Sequence, residues 1–121
     1  MLSNHLTQAT NAMAPPINLS TINHLDISDI MIIESQVYPQ ALQEPKQTLL
    51  RLIDNNPFNL AARQEEELIG FILADCEGTA PNEIWLYDIA VKPSHQKQGI
   101  AKLLLSNFLN ITYQHQLSIL I

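Results

Sequence analysis

The chain has 121 residues, 12 of them acidic and 6 basic, for a formal charge of −6, and 46% of it is apolar. That is the length of one domain, too apolar for wholesale disorder. No apolar run nears the ~18–20 residues of a membrane span, so a soluble, non-membrane protein is expected. The acid excess argues against a nucleic-acid partner, and a lone cysteine, Cys76, fits a reducing, cytoplasmic compartment.

The first 16 residues are polar, end in Pro15-Pro16 and lack the features of a secretory or mitochondrial signal, so they are expected as a flexible leader. A short strand is expected at Ile17–Ile22. Asp26 or Ser28 then caps a helix running to Val37, with Ile27, Ile30, Ile33 and Val37 near one face. Tyr38-Pro39 ends it, because the residue before proline avoids the α region. Pro45 opens a second helix that Asn55-Asn56-Pro57 stops. Phe58–Arg63 and Leu68–Cys76 read as an antiparallel hairpin around the acidic turn Gln64–Glu67. After the break Glu77–Pro81, the apolar stretch Glu83–Val91 is expected as the central strand. A third helix carries Ile100, Leu103, Leu104, Phe108 and Ile111 on one face, and Leu117–Ile121 begins another strand. The order β-α-α-β-β-β-α-β gives an α/β or α+β sandwich.

All twelve acids lie between Asp26 and Asp88. Residues 1–88 hold 12 acids against Lys46, Arg51 and Arg63, a balance of −9, whereas residues 89–121 hold Lys92, Lys97 and Lys102 and no acid, a balance of +3. A solvated lysine face accounts for such a cluster, and so does a site for a polyanion. The segment Ile89–Leu105 (IAVKPSHQKQGIAKLLL) favours the second reading. It takes a buried strand through a short loop into a helix, with Gly99 at the junction. The first turn of a helix leaves about four backbone N–H groups without intrahelical partners and carries partial positive charge, so phosphate binds there. Gly99 and Ala101 keep that turn free of bulky side chains. Hydrogen bonds to a charged group contribute about 1.5–3 kcal/mol each, whereas an exposed ion pair contributes under ~1 kcal/mol, so the backbone should do most of the holding. Spacing excludes both G-x-x-x-x-G-K-[ST] and G-x-G-x-x-G, since the only glycines are Gly70, Gly78 and Gly99.

What remains is Gln96-x-x-Gly99-x-Ala101, preceded by Ile89-Ala90-Val91 and followed by Leu103-Leu104-Leu105. This resembles the pyrophosphate loop of the GCN5-related N-acetyltransferase (GNAT) superfamily. Val37-Tyr38-Pro39, Glu67–Phe71 and Trp85–Val91 resemble the branch of small-amine, arylalkylamine- and diamine-type acetyltransferases. The resemblance implies a GNAT-like mixed, mostly antiparallel central sheet flanked by helices over residues 17–121. It also implies an incomplete domain, lacking a last helix and terminal hairpin and exposing a C-terminal strand to which a second copy could add. Acetyl-coenzyme A would be the co-substrate. Backbone groups of Ile89 and Val91 would pair with its pantetheine, and Gln96, Lys97, Gln98, Gly99, Ile100, Ala101 and Lys102 would surround its phosphates.

The implied reaction is acetyl transfer to a small-molecule or peptide primary amine by direct attack in a ternary complex. It needs a base, a polarising backbone N–H and an acid for the thiolate. The histidines or glutamate that serve as base elsewhere in the superfamily are replaced here by Trp85 and Tyr87. Tyr87 as relay and Asp88 or Glu34 as base are the remaining catalytic candidates. Their ordinary alternatives are a core aromatic, a locally paired acid and a solvated helix face. If the family's missing parts also removed catalysis, the alternative is a non-catalytic coenzyme A-binding or interaction module. His5, His24, His95 and His115 have no metal-ligand spacing, so no metal is expected, and Cys76 is expected as a buried strand residue.

Overall fold

The computed structural model of the chain describes residues 15–121. Most of the expected leader therefore lies outside the described residues. The elements are β1 (Ile17–Thr21), α1 (Ile27–Val37), α2 (Lys46–Asn55), β2 (Leu60–Gln64), β3 (Glu67–Asp75), β4 (Glu83–Val91), α3 (Ile100–Gln114) and β5 (Ser118–Leu120). They form one five-stranded sheet in chain order, β1-β2-β3-β4-β5. The first four strands are antiparallel. Because α3 crosses back over the sheet, β5 runs parallel to β4.

Apolar spacing decides which face each helix covers. Ile27, Ile30 and Ile33 of α1 and Leu49 and Leu52 of α2 pack with Leu68, Phe71, Leu73 and Ala90 on one face. Ile100, Leu104 and Phe108 of α3 pack with Ile69, Ile72, Ile84 and Val91 on the other. Thr112 continues that buried stripe and Leu103 turns partly outward, so the inward face of α3 is rotated slightly from the expected one. With both faces covered, β3 is buried at every residue after Glu67. The middle strand is thus β3. The expectation that Glu83–Val91 is central is corrected, since that strand stands fourth and keeps Trp85 and Tyr87 exposed. Its apolar character comes from lining a cleft as well as from packing.

Three local devices set the sheet. The β2–β3 turn is only two residues, Glu65 and Glu66, both with positive φ (49° and 69°), the mirror-image geometry that suits a tight hairpin. Gly70 lets β3 approach β4 and α3 closely: a Cβ there would lie 3.1 Å from the Ala90 carbonyl oxygen. The third device is a bulge in β4. Leu73 pairs with Asp88 but Ala74 pairs with Leu86, so Tyr87 is the extra residue.

The N-terminal corner is held by charge. Arg63 on β2 bonds both carboxylate oxygens of Asp26, at 2.9 and 2.8 Å, and the Ser20 hydroxyl at 2.8 Å. Burial alone would raise the Asp26 pKa. The Arg63 hydrogen bonds, the Asn23 N–H and the Arg63 charge outweigh it and hold the carboxyl below its ordinary value. At the end of β3, Asp75 is bound by Arg51 and by Asn55, the latter at 2.6 Å. Cys76 is partly buried and unpaired, with its thiol pushed up by burial and then by the Asp75 charge. No helix of the described residues is long and apolar enough to cross a membrane.

Candidate functional site

A cleft of about 520 Å³ opens where β4 leaves its neighbour. Only Glu83, Ile84 and Trp85 pair with β5, so the edge of β4 from Leu86 to Val91 has no strand beside it among the described residues. The Ile89 and Val91 carbonyls point to that edge. The Val91 oxygen accepts from the Gln96 amide at 3.0 Å, and the Ile89 oxygen lies 3.1 Å from the Tyr38 hydroxyl. In an extended strand the N–H and C=O of one residue point the same way, so the Ile89 and Val91 N–H groups also face the cleft.

The far wall is the start of α3. Its N-cap, Gly99, is left-handed (φ 81°, ψ 12°) and offers no side-chain cap. The first intrahelical bond runs from the Leu103 N–H to the Gly99 carbonyl at 2.9 Å. The N–H groups of Gly99, Ile100, Ala101 and Lys102 therefore end the helix without intrahelical partners, with the positive end of its dipole behind them. A Cβ on Gly99 would meet nothing within 4 Å. What demands glycine here is first the positive φ, and only secondarily the room it leaves.

Of the nine residues expected around a cofactor, Ile89, Val91, Gln96, Lys97, Gly99, Ile100, Ala101 and Lys102 line this cleft, and Gln98 is exposed outside its lining. Gln96 commits its amide to the Val91 carbonyl, so it fastens the loop to the strand end. Lys92 is paired with Glu67 at 3.2 Å, which leaves Lys97 and Lys102 as the cations on the cleft. Val37, Ala90 and His95 also line it. His95 is gripped by the Ser94 hydroxyl at 2.8 Å and the Gln64 side-chain oxygen at 3.0 Å. Val37 was not legible as a cleft residue, because its helical spacing reads as core.

Of the three catalytic candidates, Asp88 acts on Glu34 whereas Tyr87 faces Glu44, and none of the three is among the residues lining the cleft. Strict alternation would put Tyr87 and Asp88 on opposite faces, but the bulge turns both toward α1 and the segment before α2. The Tyr38 hydroxyl donates to Asp88 at 2.8 Å. Glu34, one helical turn before Tyr38, is 1% exposed and neither carboxyl oxygen receives a hydrogen bond. A solvated helix face is therefore excluded for it. Its pKa is pushed up to about 8, first by burial and then by the nearby carboxyls of Asp88 and Glu44. Burial and the same Asp88 and Glu34 carboxyls hold the Tyr38 phenol well above its ordinary value. Tyr87 is also raised, by burial first and then by Glu44, so it stays protonated at neutral pH. Among the described residues no group of three or more histidine, cysteine or acidic side chains is arranged to hold a metal.

A mixed sheet whose fourth strand frees its edge at a bulge and feeds an uncapped helix start defines a fold of the acyl-transferase type. Residues 26–120 match the model of the acetyltransferase (GNAT) family, and the chain belongs to that family. Its backbone is similar to the loading GNATL domain of CurA from Lyngbya majuscula (TM-score 0.72, 19% identity, 79% of this chain and 58% of that one). It is likewise similar to the ribosomal-protein-S18-alanine N-acetyltransferase of Escherichia coli (0.70, 20%, 83% and 61%). The PaiA N-acetyltransferase of Thermoplasma acidophilum, solved with coenzyme A, gives 0.70 at 20% identity over 83% of this chain and 74% of that one. The chain thus spans about three fifths of the length of the first two structures. No curated protein matches the sequence.

Proposed function

We propose that the chain binds acetyl-coenzyme A in the β4–α3 cleft and transfers the acetyl group to a primary amine. The observation that carries this reading is the continuity of donors: the Ile89 and Val91 N–H groups on a free strand edge lead to the unpartnered N–H groups of Gly99–Lys102. A pantetheine arm suits the first set as an added strand, and a pyrophosphate suits the second. Lys97 and Lys102 add charge at the phosphate end.

At the other end, the acceptor nitrogen attacks the thioester carbon. The C–N bond forms, the C–S bond breaks, and coenzyme A leaves as a thiolate that takes a proton. A strand N–H such as that of Ile89 steadies the oxyanion. The Asp88–Glu34 pair takes the ammonium's proton, and the protonated Tyr87 phenol supplies or relays one to the departing thiolate. No covalent acyl-enzyme is required.

Calorimetry with acetyl-coenzyme A tests the site. Saturable binding is expected, weakened more than about tenfold by Gly99→Glu, which puts a carboxylate against the phosphates. Equal binding by the variant, or none by the wild type, overturns the assignment. Thiol release with a panel of amines then separates transfer from holding: binding without turnover makes the chain a coenzyme A-binding module.

A further inference from the structure

Tyr38 is a half-buried titratable group that the acetyl-transfer reading leaves unused. Its ring packs against the α1–α2 side of the core, a place that a phenylalanine ring would fill as well. Its main chain is fixed at both ends. The N–H closes α1 on the Glu34 carbonyl at 2.9 Å, and the carbonyl accepts from the Gln43 side-chain amide at 3.1 Å. Pro39 follows and keeps the residue extended, with φ −115° and ψ 145°. The hydroxyl is therefore carried on a rigid base, as a directed contact requires.

That hydroxyl meets two groups on β4, an Asp88 carboxyl oxygen at 2.8 Å and the Ile89 carbonyl at 3.1 Å. Both residues directly follow the bulge at Tyr87. A bulge disrupts the ladder locally, and from Leu86 to Val91 no strand on the outer edge restores it among the described residues. On the inner side the Lys92 N–H bonds the Ile69 carbonyl at 2.8 Å, so by alternation Ala90 pairs with β3 while Ile89 and Val91 turn outward. Each outward carbonyl is held by one side chain, Ile89 by Tyr38 and Val91 by Gln96. Among the described residues no other side chain donates to Leu86–Ala90. The single phenolic proton is shared between the two acceptors, so one contact spans both residues after the bulge. The phenol is held well above its ordinary value, first by burial and then by its acidic neighbours, so it stays a donor through neutral pH.

We propose that Tyr38 is a positioning residue for the pantetheine arm: its hydroxyl pins the Ile89 peptide unit just past the bulge, so that the free strand edge meets the arm already shaped. The proposal rests on the acetyl-coenzyme A reading and adds to it a residue outside the cleft's lining, acting through Ile89, which lines it. The two halves of the ligand should feel the pin differently. The phosphate end is met by the N–H groups of Gly99–Lys102 and by Lys97 and Lys102, none of which Tyr38 touches. The arm is met by the edge itself. Without the pin the ligand has to order that edge as it binds, and the ordering is subtracted from its affinity.

Tyr38→Phe keeps the ring and removes only the hydroxyl. Coenzyme A should bind this variant about two- to tenfold more weakly, the weight of one neutral hydrogen bond. Adenosine 3′,5′-bisphosphate, which carries phosphates but no pantetheine, should bind both chains alike. Nuclear magnetic resonance reads the pin without either ligand. The carbonyl carbon of Ile89 should shift on Tyr38→Phe, while that of Val91, held by Gln96, should stay. An equal loss of both ligands would make the hydroxyl a support of the whole fold, and an unchanged or tighter coenzyme A affinity would show that it positions nothing. Either result overturns the proposal, and so does an unmoved Ile89 resonance. Failure of the wild-type chain to bind coenzyme A defeats the earlier reading instead, and the Ile89 resonance still decides whether the pin exists.

Discussion

At the scale of single residues, Gly99 separates two demands that a sequence motif merges. A glycine before a helix can be required by the ligand, which needs space, or by the backbone, which needs a positive φ. With φ at 81° and open space where a Cβ would stand, the backbone demand is the one the geometry shows. Gly99→Ala should therefore cost about 1–2 kcal/mol of stability without any ligand, the penalty of a left-handed L-residue. Gly99→Asn should recover part of it, since asparagine tolerates that region. Denaturant midpoints of the three chains check this, and an unchanged midpoint for Gly99→Ala would mean that the loop adopts another conformation in solution. Gln96 shows the same distinction: the motif places it at a phosphate, whereas its amide is committed to the Val91 carbonyl at 3.0 Å.

At the scale of elements, periodic signals read correctly and departures from periodicity did not. The apolar stripes of α1, α2 and α3 and the breaks at Tyr38-Pro39 and Asn56-Pro57 place every helix to within a residue or two, because burial dominates those segments. The mostly antiparallel sheet follows from the hairpin and the one crossover. Most of the cofactor wall was legible because it depends on backbone and glycine. The acidic pair was not, because one extra residue at Tyr87 swaps the faces of a strand and nothing in Trp85–Val91 announces a bulge. Nor does the sequence give the partner of Asp26, which lies 37 positions away. That bond ties β2 to the turn entering α1, whose C-terminal end carries Val37 to the cleft. Arg63→Met should remove the counter-charge of a side chain that is 8% exposed and destabilise the fold by roughly 3 kcal/mol. Arg63→Met combined with Asp26→Leu should recover much of that loss. A double variant no more stable than the single one would show that the corner is held by something other than the charge pair.

At the scale of the whole molecule, the +3 portion of the chain supplies every residue lining the cleft but Val37, and the −9 portion carries a measurable consequence for stability. Glu34 has an ordinary carboxyl pKa of 4.5 when the chain is unfolded and one of about 8 when it is folded. Between those values the folded chain holds a proton that the unfolded chain has lost. Its stabilising share is therefore complete below pH 4.5 and is lost as pH rises toward 8, at up to about 1.4 kcal/mol per pH unit for a single group. Asp26 and Asp75 act in the opposite sense. Both are held below their ordinary value of 3.8 against the upward push of burial, by hydrogen bonds to Arg63 and Asn23 in one case and to Glu77, Asn55 and Arg51 in the other. Their share is present above that value and is lost as pH falls below it. Stability should thus peak in mildly acidic solution and decline on both sides, through different residues. Glu34→Gln should flatten only the limb between about pH 5 and 8, leaving the acid limb intact. Urea midpoints for wild type and variant at pH 3, 5, 6.5 and 8 separate the two limbs, and the difference between the chains removes the contribution of the histidines. A wild-type limb that stays level from pH 5 to 8, or one that survives the substitution, would mean that Glu34 ionises freely inside the fold.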